Sequence, residues 1–309
     1  MNHLSGILAL SLLFVTGQGS PGWGAAWPEW GGSPSKNMVS SETELPTDIS
    51  GGDESEENED EINRASATGC RWVVTLGSES YGTPTIGNGL VLVGTNNEKP
   101  RNPAIVGDRG VVMAFDEKTG SFRWQLTVPK LPGGDEIDWE YLGICSSTLI
   151  HGDRGYVVTN RAEVVCLDLK GLADGNNGFA EEGRYMAGPG KEPSKVGPND
   201  ADILWTFDMI KSLGVIPHNI ASSSVALVDG RIIATTSNGL DGEHETMPAP
   251  DAPCLISLDA ANGKLMNVEQ AGISRATMHC NWSSPCIGRH KGQPAIFFGG
   301  GDGFLHAFD

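Results

Sequence analysis

The sequence predicts an all-β fold, a β-propeller of four-stranded antiparallel blades with about four blades present and the last incomplete. Three observations carry this. Four segments end alike, "VVMAFD" (111–116), "EVVCLD" (163–168), "CLISLD" (254–259) and "GFLHAFD" (303–309), with a small residue, a large apolar residue and then Asp in register. Upstream of each lies the same order of small-residue cluster, short strand, tight turn and apolar strand. With 42 Gly and 18 Pro the chain is rich in turn formers, yet 39% of it is hydrophobic, which excludes global disorder. A β-sandwich also uses many short strands, but does not explain one Asp recurring at the same point of each unit.

From the amino terminus, residues 1–20 read as a signal peptide. The apolar run Ile7–Val15 is too short for a bilayer core of roughly 30 Å, and small residues follow it, although the stretch before it holds no Lys or Arg. Residues 21–41 form a Trp-rich segment. Residues 42–66 read as an acidic, disordered linker, because ten acidic residues and no basic one lie between Glu42 and Glu61. Much of the net charge of −18 resides there, and the acidic field argues against nucleic acid as a partner. No stretch reads as a transmembrane span.

The propeller is assigned to residues 67–309. In the first unit "GTPTI", "GNG", "LVLVGT" and "VVMAFD" are followed by "EKTGSFRW", a tight turn and a fourth strand ending in Trp124. Asp116 suits that turn by accepting backbone hydrogen bonds, and Gly120 suits it by its freedom at positive φ. In the second unit a polar insertion loop, 172–202, interrupts the blade before Trp205. The third unit has Asn267 where the first has Trp. The fourth stops at its third strand, so the sequence reads as part of a longer propeller. Strands buried on both faces read as continuous apolar runs. In that setting Cys166 reads as a small core residue, not a reactive thiol. The six cysteines include no CxxC or CxxCH, so no zinc ribbon or haem attachment is expected. "DLKGLADGNNG" and "DGEHE" lack the EF-hand spacing, and His244 with Glu243 is only a pair, so no residue is assigned to a metal.

The repeat "AFDEKTGSFRW" resembles the quinoprotein-type, PQQ-like propeller repeat. "WPEWGGSPSKNMVS", "LGSESYGTPTIGNGLVLVGTNN" and "PHNIASSS" are similar to the exported PQQ-binding-like propeller proteins of planctomycete-type bacteria. The resemblance covers Trp27–Ser41 and Cys70–Asp309. It implies a periplasmic or secreted location and a ligand-binding face made by the loops between second and third strands and between successive blades. On this chain that face carries Asn97, Trp139, Asn160, Arg161, His218, Asn238, His279, Trp282 and Asp302. Amides, an arginine and flat aromatic surfaces there could hold an anionic planar ligand, whereas turn chemistry alone would also place Asn and Asp there. The function expected is a scaffold binding a small-molecule ligand, a periplasmic protein or a polymer. The alternative implied by the resemblance is a dehydrogenase oxidising alcohols or sugars with PQQ and calcium, for which no catalytic residue is assigned.

Overall fold

The computed structural model describes residues 26–57, 61–277, 279 and 281–309. The predicted signal peptide and Cys280 lie outside the described residues. Ahead of the blades, β1 (Asp53–Glu54) and β2 (Ile62–Asn63) pair antiparallel within the acidic stretch. Where the sequence predicts a disordered linker, the chain thus makes a minimal hairpin. Its side chains stay exposed, so the charges remain in water.

The first blade is β3 (Thr85–Gly87), β4 (Leu90–Asn96), β5 (Arg109–Asp116) and β6 (Phe122–Pro129). The second is β7 (Leu149–His151), β8 (Arg154–Val158), β9 (Glu163–Asp168) and β10 (Asp202–Asp208), with helix α1 (Glu182–Ala187) between its last two strands. Helix α2 (Met209–Leu213) leads out of it. The third is β11 (Ala226–Val228), β12 (Arg231–Thr235), β13 (Leu255–Asp259) and β14 (Leu265–Val268). The fourth has three strands, β15 (Cys286–His290), β16 (Gln293–Gly299) and β17 (Leu305–Phe308). Each sheet is an antiparallel meander in chain order, so the chain is a β-propeller with the blade order predicted. Asn88–Gly89, Asp229–Gly230 and Lys291–Gly292 hold positive φ at both positions, the turn type that matches strand twist in a two-residue hairpin.

Side chains alternate between the two faces of each sheet, and both faces bury. From β5, Val112 and Ala114 pack with Val157, Val165 and Leu167 of blade 2, while Val111, Met113 and Phe115 point the other way. Cys166 is fully buried between blades 2 and 3 among Tyr156, Trp205, Ile232 and Leu258, as its place in the repeat predicts. Phe298, with Ile287 and Ile296, closes blade 4 on blade 3.

A recurring contact locks each blade to the next. Trp124 of β6 donates its indole N–H to the Leu169 carbonyl at 2.8 Å, and Trp205 of β10 donates to the Ala260 carbonyl at 3.2 Å. Each acceptor follows the repeat Asp of the next blade. Each indole also covers a turn glycine: a Cβ on Gly171 would sit 2.8 Å from Trp124, and one on Gly263 2.4 Å from Trp205. Trp72 does the same to blade 1, donating to the Glu117 carbonyl at 3.0 Å and covering Gly120. Val74 and Leu76 then cover the face carrying Val111, Met113 and Phe115. "RWVVTL" (71–76) therefore sits where the fourth strand of a preceding blade would, and "RWQLTV" (123–128) is its echo in β6.

Two further ties run along the first strands. The small-residue clusters relay hydrogen bonds between blades, from Ser147 N–H to Ser224 Oγ and from Ser224 N–H to Ser284 Oγ, both at 2.9 Å. The segment Trp27–Lys36 reaches all four blades. Trp27 pairs with Ile86, Ile150 N–H donates to the Pro28 carbonyl at 2.6 Å, and Ile287 N–H donates to the Pro34 carbonyl at 2.7 Å. Lys36 Nζ reaches the Val225 carbonyl at 3.3 Å and pairs with Glu29, with both side chains buried.

The predicted polar insertion, 172–202, is more ordered than a loop. Helix α1 packs against β6 and buries Met186 and Ala187. Buried Glu182 accepts from Asn176 Nδ2 at 2.8 Å and from Ile203 N–H at 3.3 Å, which fixes the helix to β10. No helix among the described residues is long and apolar enough to cross a membrane.

Candidate functional site

The strand directions place the connections between second and third strands, and those between blades, at one end of the molecule. All nine sequence-predicted residues lie on these connections. Asn97 is buried and holds its own loop, donating to the Ile105 carbonyl at 2.8 Å and the Gly107 carbonyl at 3.2 Å. Asn160 Nδ2 donates to Asp138 Oδ2 at 2.7 Å and to the Pro129 carbonyl at 3.2 Å. Asn238 Nδ2 donates to the Ala252 carbonyl at 3.0 Å and also bonds Ser274. Asp302 accepts from Phe304 N–H at 3.1 Å and pairs with His306 Nε2 at 2.9 Å. These four residues staple loops together, much as turn chemistry would have them do.

Arg161 stands between Glu163 Oε1, at 3.3 Å, and the Lys130 carbonyl, at 3.4 Å. It lines a cavity of about 430 Å³ with Pro129, Glu163, Phe179, Arg184 and Tyr185, where the insertion docks on blade 2. Burial raises the Glu163 carboxyl above its ordinary pKa in spite of Arg161 and of the Tyr185 hydroxyl, which donates to it at 2.7 Å. Burial likewise outweighs Lys130 at Asp138 and raises its pKa. Asp138 binds Lys130 Nζ at 2.6 Å through one oxygen, and Leu131 N–H and Asn160 through the other.

The remaining four predicted residues are Trp139, His218, His279 and Trp282. Trp139 is half-exposed, and its backbone N–H donates to the Asn219 carbonyl at 2.7 Å. His218, on the connection from blade 2 to blade 3, is fully buried. His279, on the connection from blade 3 to blade 4, lies 4.6 Å from His218 between ring centroids and 4.9 Å from Trp282. The structure adds His244, from the β12–β13 loop, at 5.1 Å from His218 and 5.7 Å from His279. One nitrogen from each of the three imidazoles lies within 4.8 Å of the others. Burial and the two facing imidazoles push His218 below its ordinary pKa, toward the neutral form. A turn around Asp241 presents His244: its carboxylate accepts from the N–H groups of Glu245 at 2.7 Å and Thr246 at 3.1 Å. Sequence reasoning paired His244 only with its neighbour Glu243, and no local spacing reveals a partnership across three connections.

Several buried polar atoms at this end make no well-formed hydrogen bond among the described residues: Asn160 Oδ1, Asn238 Oδ1, Asn281 Nδ2 and the ring nitrogens of His218, near one of which lies only the Leu240 backbone. Buried polar groups are ordinarily paired, so these mark places for water, an ion or a ligand. Arg161 is engaged by Glu163, and both oxygens of Asp138 are taken by Lys130, Leu131 and Asn160. A second acidic group, Asp168, Asp174 and Asp202, lies at the opposite end and already binds Lys170 and Asn177.

Residues 100–174 match the family model described as outer membrane protein assembly factor BamB. No curated protein matches the chain. Among solved structures, BamB from Moraxella catarrhalis is similar at 14% identity and a TM-score of 0.40, over 74% of this chain and 46% of its own. Quinohemoprotein alcohol dehydrogenase ADHIIG from Pseudomonas putida HK5 is similar at 10% identity and a TM-score of 0.49, over 92% of this chain and 46% of its own. The quinohemoprotein alcohol dehydrogenase of Comamonas testosteroni gives 11% identity and a TM-score of 0.41, over 92% and 47%. The chain spans about half the length of these structures.

Proposed function

We propose that the chain is a PQQ-like propeller scaffold that works by binding, outside the cytoplasm, through the loop-bearing end of its blades. The observation behind this is the set of buried, unpartnered polar atoms at that end, on His218, Asn160, Asn238 and Asn281. A rigid frame tied blade to blade holds them in place, and Trp139 and Trp282 offer half-exposed aromatic surface beside them. Such a combination of apolar faces and a few fixed polar groups suits a small polar ligand or a side chain from a partner protein. Location outside the cytoplasm rests on the signal-like residues 1–20.

Tryptophan fluorescence tests the reading. Anionic planar ligands, PQQ with calcium among them, are titrated into the protein and into Trp282→Ala and Arg161→Ala variants. Saturable quenching that weakens in either variant is expected for a ligand of this face. Quenching that is equal in all three proteins would put binding elsewhere and overturn the proposal. Dye-linked turnover of alcohols or sugars with PQQ and calcium would replace the scaffold with a dehydrogenase.

A further inference from the structure

We propose that His218, His244 and His279 form a site for one divalent transition-metal ion of the zinc–copper class. The three imidazoles come from three connections, blade 2 to blade 3, β12 to β13 within blade 3, and blade 3 to blade 4. They bring a nitrogen each to within 4.8 Å of the others. Around a tetrahedral ion with bonds of 2.0–2.1 Å, ligand nitrogens stand about 3.3 Å apart, so small side-chain rotations close the set.

His218 is the strongest indication. It is 0% exposed, and its ring nitrogens make no well-formed hydrogen bond among the described residues, with only the Leu240 backbone near enough to answer one of them. An imidazole placed only for packing would leave at least one buried polar atom unanswered, whereas an ion between the rings answers it. A built turn places the His244 ring beside the other two. The His244 backbone is left-handed, with φ of +59°, and Asp241 holds the turn through Glu245 and Thr246.

The donor chemistry selects the ion. Three imidazoles suit zinc, copper or nickel, while calcium and magnesium take oxygen donors. Three protein ligands leave a fourth position for water or an incoming group. The Glu136 carboxylate packs against Gly242, in the His244 loop, so an acidic side chain stands beside the site. The inference does not rest on the ligand-binding reading above. An ion here would brace the connections of blades 2, 3 and 4 even if the face bound nothing else.

The test uses the full chain without a histidine tag, stripped with EDTA. Zinc is titrated by calorimetry, and cobalt by its visible absorption in a low-symmetry nitrogen site. One ion per chain is expected, with a rise in Tm on adding zinc. His244→Ala and His279→Ala should each weaken binding by more than about tenfold and cancel the rise in Tm. His290→Ala, at the β15–β16 turn, should bind as the unaltered protein does. Because His218 is buried, the exposed His244 supplies the decisive variant. No saturable uptake, or uptake unchanged in the two variants, overturns the site, and an effect in only one of them overturns its three-histidine geometry.

Discussion

Gly171 and Gly263 show how closely single positions are specified. Both have positive φ, and at both a methyl group would enter an indole ring. Gly171→Ala combines a strained backbone with overpacking and should cost about 1–3 kcal/mol, read as a lower urea midpoint at unchanged m-value. Asp116 acts through charge. Arg123 and Thr119 bind its carboxylate and hold its pKa at about 2. A carboxyl depressed in the folded state stabilises fully above its unfolded pKa and loses that contribution as pH falls through its folded one. The turn at Thr119–Gly120 should therefore loosen between about pH 4 and pH 2, seen as faster amide exchange there. Asp116→Asn should remove that pH step.

Each strand-turn-strand element owes its place to the tryptophan that docks on the next blade. Trp124→Phe keeps most of the buried ring but leaves the Leu169 carbonyl without its donor, at a cost of about 1–3 kcal/mol. Trp124→Ala also opens a cavity between blades 1 and 2 and should cost about 3–5 kcal/mol, both measured by denaturant unfolding. This device was legible because it repeats: Asp, turn glycine and Trp stand at fixed spacing in the first blade, and the Asp recurs in all four. "RWVVTL" escaped notice although it copies "RWQLTV", since it lies ahead of the first Asp. Helix α1 was hidden for a local reason: six residues, a glycine within them and no side-chain cap give no readable period. The loop-end positions of Asn97, Asn160, Asn238 and Asp302 followed from strand order, but their partners did not. The histidine cluster was half legible, with His218 and His279 on the expected face and His244 joined to them only by the packing of separate connections.

Across the whole molecule, three interblade cores and the Trp27–Lys36 segment hold the blades in one row. The Lys36–Glu29 pair is buried, so Lys36→Ala would strand an uncompensated carboxylate and should cost about 3–5 kcal/mol. Replacing both partners, as Glu29→Gln with Lys36→Met, should cost much less, and thermal unfolding of the two variants beside the unaltered protein checks that order. The same segment sets an order of events in time. During synthesis Pro34 emerges long before Ile287, whose N–H it receives. Blades can zip up one after another from neighbouring hairpins, but a contact so distant along the chain must wait for every blade between its partners. Trp27 can find Ile86 at once, Pro28 and Lys36 gain their partners as blades 2 and 3 arrive, and Pro34 is answered last. The segment thus records how far assembly has gone, and its final hydrogen bond marks the arrival of the fourth blade.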